Sequence, residues 1–421
     1  MTLTDEDISR GDGYLATIIF TPEGVADPAP WYRRLREEMP VYRSGLGQVV
    51  LSRYEDCHTV LRDNRFGKGD RSPGGNSLMP GADDSEEMRA FRAEMAKRRN
   101  EGTRSMLFLN PPDHTRQRGL VSRAFTPRRI EALRASIAGL AEDCVDRLAE
   151  HGGGDALDIL GWLPVNVIGE LVGVPESDWE RFRPLVTTAV ASLENAATID
   201  ELRASQDAFA EMWVYFTALV EERRKAPRED LISGLIEVEE AGDKLTTEEL
   251  ITTVILLFSA GMETTQNLIG NGIGALFKNP DQLDRLWADP GLVPLAVDEM
   301  LRWDSPVQLD GRMALEDAEI AGMPVRAGHG VLTLLGAANR DPAQFSDPEA
   351  FRVDRDEGPP LSFASGIHYC LGANLARAEG QEVFSALIDR FSSIEQAGDL
   401  VQKGRMTLRG YETVPVAVTP R

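Results

Sequence analysis

Between Thr246 and Phe277 lies a run that reads as one unusually long helix, and it limits the folds open to the chain. It begins with a capping-box pattern, Thr246 followed three residues later by Glu249, and stops before Pro280. At 1.5 Å per residue it spans on the order of 45 Å, the width of a whole domain. From Ile251 to Ala260 it is apolar on most sides, so it belongs inside a protein rather than on one. Helical periodicity also fills Thr126–Glu150 and Trp179–Ala226, and a last helix is expected over Leu371–Phe391. Val41–Arg43 and Val49–Leu51 flank a Ser44-Gly45-Leu46-Gly47 turn and read as a hairpin, followed by a short helix over Tyr54–Asp63. Short strands and turns dominate after Arg302, and Met406–Val418 reads as extended. Gly67–Asp84 has a loop composition, and Ser85–Asn100 is a charged surface helix anchored by Met88, Phe91 and Met95. The expectation is one mainly α domain over 1–421, with small β portions near 40–55, 306–335 and 405–418.

The chain of 421 residues carries 45 basic and 68 acidic side chains, a formal charge of −23. Such a surface repels nucleic acid and anionic membranes. Its longest apolar run, around Val254–Phe258, is far short of the ~20 residues a membrane span needs. Three cysteines without paired spacing, Cys57, Cys144 and Cys370, argue against a disulfide framework. The acidic start MTLTDEDISR lacks the basic opening of a signal peptide. A cytoplasmic monomer is expected. One basic stretch departs from the acidic background: Arg116, Arg118, Arg123, Arg128 and Arg129 stand against a single acid, Asp113.

Three constellations suggest chemistry. In Phe363-Ala364-Ser365-Gly366-Ile367-His368-Tyr369-Cys370-Leu371-Gly372, the cysteine opens a helix, where the dipole and free N–H groups favour a thiolate. A lone cysteine in this setting is also compatible with a structural, buried thiol. In Ala260-Gly261-Met262-Glu263-Thr264-Thr265, an acid and a hydroxyl sit inside the apolar helix, which is costly unless they are used or satisfied. Thr264 can bond back to the Ala260 carbonyl, and Gly261 loosens the ladder, so a kink with a small groove is expected there. His114 and Arg118 share a helix face at i, i+4, as do Glu299 and Arg302 at i, i+3.

The cysteine string resembles the haem-binding loop of the cytochrome P-450 superfamily, Phe-Gly-x-Gly-x-His-x-Cys-x-Gly, with Leu375-Ala376-Arg377 following at the matching offset. Ala364 stands where that family usually has Gly. The resemblance covers nearly the whole chain and implies the cytochrome P-450 fold, with the long central helix over haem b. It implies Cys370 as the iron ligand, with Phe363 and Gly372 shaping its loop and Ala260 beside the haem. His114, Arg118, Arg312 and His368 match propionate-binding positions. Glu263 and Thr264 match the acid–alcohol pair that supplies protons to bound oxygen, with Glu in place of the commoner Asp. Glu299, Arg302 and Arg355 match a structural triad. By position, the substrate pocket falls to Leu256, Ala260, Thr264, Val307, Leu309, Thr407 and Leu408, with Gln308 as its polar member. The implied activity is O2-dependent monooxygenation of an apolar small molecule such as a steroid, terpenoid, polyketide or fatty acyl group. No flavin or iron–sulfur motif is present, so electrons are expected from a separate reductase and an acidic ferredoxin docking at the arginines of 116–129. The alternatives are a peroxide-driven peroxygenase and a non-catalytic haem-binding ligand sensor; the Glu263–Thr264 pair speaks against the first, and with the propionate positions against the second. The 85–100 helix is expected to form a flap over the pocket mouth.

Overall fold

The computed structural model describes residues 4–69, 85–101, 103–125, 127–194, 196–240 and 245–421. Most of the Gly67–Asp84 loop, residues 70–84, lies outside them, as do the side chains of Arg128 and Arg129. The long helix is real and unbroken, Thr247–Lys278. Its capping box closes as the sequence predicts, Glu249 N–H donating to Thr246 Oγ1 at 3.2 Å and Thr246 N–H to Glu249 Oε2 at 2.8 Å. It packs against Trp162–Val172, Ile199–Lys225, Val293–Trp303 and Ala373–Arg390. A Cβ on Gly272 would lie 2.8 Å from the Phe384 ring, so hydrogen alone lets the last of these helices approach. Two of its buried amides reach across the core: Gln266 Nε2 donates to Gly161 O, and Asn271 Nδ2 to Asp304 O and Arg409 O.

The two early β portions join in one five-stranded sheet, ordered Val41–Arg43, Val49–Leu51, Gly330–Thr333, Asp310–Ala314, Phe66–Gly67. Only the Val49–Leu51 and Gly330–Thr333 pair is parallel. This sheet carries Asp310 and Arg312 on one face, since residues two apart point the same way. The C-terminal strand Pro415–Pro420 lies between Gly153–Asp155 and Phe391–Gln396. Two sequence expectations need correction. The last helix ends at Arg390 and the chain continues directly as a strand. Met406–Leu408 is a bend rather than a strand, bridged to the sheet side only through Val307 and Leu408. The helical stretch from Trp179 to Ala226 is broken by a 3-10 turn at Val190–Leu193, after which a second capping box at Thr198 starts Ile199–Lys225. The charged helix, Glu86–Glu101, lies on that helix: Arg203 sits over the Phe91 ring and 3.8 Å from Glu87. Among the described residues no single helix is long and apolar enough to cross a membrane.

Glu299, Arg302 and Arg355 are all buried. The carboxylate takes Arg302 at 2.6 and 2.8 Å and Arg355 at 3.1 Å. The guanidiniums spend their remaining donors on the carbonyls of Asn339, Pro348, Ala350, Ser346 and Asp347, and Arg355 also pairs with the Glu357 carboxylate at 2.8 Å. Three chain segments are thereby held to one carboxylate. Glu299→Ala leaves two buried cations facing each other and should cost about 3–5 kcal/mol in denaturant unfolding; a loss below about 1 kcal/mol would mean the pair contributes little.

Candidate active site

One cavity of about 500 Å³ gathers almost every residue singled out in the sequence. It is bordered by Leu256, Ala260, Glu263 and Thr264 of the central helix, by Val307, Leu309 and Arg312, and by Thr407 and Leu408. His114 and Arg118 reach it from the helix Asp113–Ala124, and Phe363, His368, Cys370 and Gly372 from the cysteine loop. Gln308 does not line it, contrary to expectation. Its amide is used elsewhere, accepting from Tyr32 Oη at 2.9 Å and donating to Ser305 O at 2.8 Å. Alternation along the chain turns it away from the wall that its neighbours Val307 and Leu309 form.

Cys370 is held by its backbone, whose N–H donates to Phe363 O at 3.0 Å. Its sulfur is exposed into the cavity while the residue lies deep in the molecule. Burial pushes the thiol up, against the opposing pull of the Gly372 N–H, Arg118 and Arg377. The helix start therefore does not by itself produce a thiolate, and a metal at the sulfur would. Gly366, at φ +71°, is required, since a Cβ there would meet the Leu61 carbonyl at 2.2 Å. Ala364 adopts φ +55°, ψ −153°, a region that glycine tolerates and alanine does not.

A cationic corner closes one side. The rings of His114 and His368 meet with centroids 4.2 Å apart, tilted by 48°. Arg118 Nη2 donates to Tyr369 O at 2.6 Å. Arg312 is buried with its Nη2 2.8 Å from Asp310 Oδ2, and Lys68 pairs with the other oxygen of that carboxylate. Burial pushes Asp310 up, but Lys68 and Arg312 outweigh it and hold it below its ordinary value. Burial, with Arg312, Lys68 and His114 nearby, drives His368 down to about 3. Burial and the two arginines lower His114 likewise. Arg312 Nε and His368 Nε2 are buried and carry no hydrogen bond. Asp310 and Lys68 were missed in the sequence; Asp310 was findable as the same-face neighbour of Arg312, while Lys68 is distant in the chain.

On the central helix Thr264 Oγ1 donates to Ala260 O at 2.7 Å, the back-bond expected from the sequence. Glu263 is buried, not surface-facing: Lys403 Nζ meets Oε1 at 2.6 Å and Thr187 Oγ1 approaches Oε2 at 3.4 Å. No sequence signal joined Lys403 to it across 140 residues. Glu379 was missed too. It borders the cavity from the cysteine helix, fully buried, and burial alone raises its carboxyl well above the ordinary value.

A family profile described as Cytochrome P450 matches residues 179–289 and 291–407. The chain belongs to the cytochrome P450 family. It is 35% identical to the polyketide biosynthesis cytochrome P450 PksS of Bacillus subtilis over 96% of this chain and 99% of the relative. It is 38% identical to the cytochrome P450 monooxygenase PikC of Streptomyces venezuelae over 93% and 91%. Among solved structures, P450BioI in complex with hexadec-9Z-enoic acid ligated acyl carrier protein superposes with a TM-score of 0.84 at 34% identity, covering 94% of this chain and all of that one. The chain is thus a cytochrome P450 monooxygenase with the cytochrome P450 fold and a haem cofactor.

The cavity suits that cofactor. It presents the exposed sulfur of Cys370 as a ligand for the iron. Two propionates need buried donors, and Arg312 and His368 have donors without partners.

Two outcomes check this account. Ala364→Gly removes a strained φ and should stabilise the protein by roughly 1 kcal/mol or more in thermal unfolding; an unchanged or lower midpoint refutes the strain. Glu379 binds its proton more tightly folded than unfolded, so its contribution is complete at acid pH and is lost as pH rises towards the raised folded value. Glu379→Gln should match the native protein near pH 4 and gain on it progressively towards pH 8, by up to about 1.4 kcal/mol per pH unit. Parallel stability profiles would show that the carboxyl titrates normally.

Proposed function

We propose that the Cys370 sulfur would hold the iron of haem b and that the enzyme uses O2 to oxygenate an apolar small molecule. The observation that carries this reading is one cavity shared by the Cys370 sulfur, the Ala260–Thr265 stretch and the cationic corner. Bound haem with thiolate ligation supplies O2 activation and the oxidising power for oxygen insertion. Arg118, Arg312, His114 and His368 hold the propionates, and Phe363 and Gly372 shape the loop around the sulfur. Thr264, exchanging its bond to Ala260 for a water, holds that water at Oγ1 beside the oxygen site. Glu263 passes protons inward from Lys403 and the solvent beyond it. Leu256, Val307, Leu309 and Leu408 exclude water and leave the substrate few polar handles.

The substrate is read as a polyketide-like, terpenoid, steroid or fatty acyl compound; the polyketide name of PksS and the acyl group of the P450BioI complex support that range. Electrons come from a separate reductase and an acidic ferredoxin. Docking is assigned to the arginines of the 116–129 stretch, of which Arg116 and Arg123 border a shallow groove with Pro111, Pro112, Thr115 and Gly119. Glu86–Glu101 acts as a flap, in keeping with its seat on Ile199–Lys225. The chain acts as one domain and as a cytoplasmic monomer; the return of its last strand to Gly153–Asp155 supports the single domain, and its three free cysteines support the compartment.

Reduced holoenzyme with CO should give the red-shifted thiolate band, and Cys370→Ala should lose it. With NADPH and a surrogate ferredoxin system, Thr264→Ala should divert most electrons to hydrogen peroxide, lowering product per NADPH on the order of tenfold. Arg123→Glu should slow reduction at low salt and less so at high salt. Product formed at full rate from peroxide alone, indifferent to Thr264, would favour a peroxygenase instead.

A further inference from the structure

The bend at Met406–Leu408 is a largely buried strip of backbone polarity in an apolar wall. On one side it is tied to the sheet portion, Gln308 N–H donating to Thr407 O and Arg409 N–H to Pro306 O. Its own three amides point the other way, where no strand pairs with them. All three end on one carboxylate. Glu194 Oε2 accepts from Met406 N–H at 3.2 Å and Thr407 N–H at 2.9 Å, and Oε1 accepts from Leu408 N–H at 2.8 Å. Successive amides converging on an anion form a nest, and only a carboxylate offers acceptors on both oxygens with no donor to intrude.

Glu194 ends the 3-10 turn Val190–Leu193, and that turn borders the cavity through Val190 and Leu193. The bend borders it through Thr407 and Leu408. One residue upstream of the bend, Arg405 Nη1 reaches Thr187 O at 3.3 Å, a second tie between the same two segments. Two walls of the pocket, over two hundred residues apart in sequence, are thus joined through the Glu194 carboxylate, with Arg405 tying the chain beside them. We propose that Glu194 is a positioning residue that sets the separation of the Val190–Leu193 and Thr407–Leu408 walls, and so determines which ligands the pocket retains. This rests on the reading of those residues as substrate wall.

The charge and the length of the side chain both matter. Glu194→Gln keeps the size but turns an N–H2 towards amide donors, so at least one of the three bonds is lost. Glu194→Asp keeps the charge and withdraws it by one methylene.

The test uses the holoenzyme and clotrimazole, an azole whose three aryl rings extend from the iron into the pocket and whose binding is read from the haem absorption band. In Glu194→Gln, hydrogen exchange of peptides spanning 404–410 should quicken while the Gly330–Thr333 strand stays unchanged, and clotrimazole should dissociate roughly tenfold faster. Glu194→Asp should fall between, with the ferrous–CO band unmoved in both. Leu408→Ala serves as the control on the wall itself. Unchanged exchange at 404–410 overturns the latch. Faster exchange with unaltered clotrimazole release, while Leu408→Ala does alter it, overturns the role of Glu194 in retention. If neither Leu408→Ala nor Glu194→Gln affects clotrimazole, the assignment of the wall has failed and the proposal falls with it.

Discussion

The structure depends on a helix that must be buried yet leave one stretch unfilled. Thr247–Lys278 is held on most sides by neighbouring helices, and its distant amides are matched to carbonyls across the core. Between Leu256 and Leu268, centred on Ala260–Thr264, its surface borders the cavity. A helix packed to interior density along its whole length would leave no room for a flat cofactor and a substrate; one open on a whole face would not persist in the interior. The hydroxyl of Thr264, returned to Ala260 O, lets that open stretch exist without an unmet donor.

Charge distribution follows from the same constraint. The cavity is apolar where substrate is assigned and cationic at one corner, where donors of Arg312 and His368 lack partners. Burying such groups is unfavourable without an anion to meet them. Among the described residues the carboxylate facing that corner, Asp310, is already taken by Lys68 and Arg312. The corner is therefore arranged for a ligand that brings its own negative charge, as a dicarboxylate porphyrin does. By contrast the charges of the Glu299–Arg302–Arg355 cluster are matched inside the protein once Glu357, paired with Arg355, is included. Similar residues play unlike parts because one set is saturated and the other is not.

Much of this was legible in the chain. The helix with its Thr246–Glu249 cap, the hairpin at 41–51, the back-bond of Thr264 and the closing of the cysteine loop around Cys370 rest on neighbours within a few residues, where spacing and local chemistry decide geometry. Where the sequence misled, a competing distant contact had won. Gln308 is drawn away by Tyr32. Met406–Leu408 bends because Glu194 gathers its amides.

By itself, then, the sequence determined the helices, the loop that presents a sulfur, and the kinds of side chain available for oxygen chemistry. Only tertiary structure decided that Lys403 would meet Glu263, that Asp310 would sit between two cations, and that one glutamate would bridge two walls of the pocket. The reason is physical: periodicity and capping report forces acting over a turn or two of chain. The partner of a buried charge is chosen by whichever segment packing brings near, however far away it lies in the sequence.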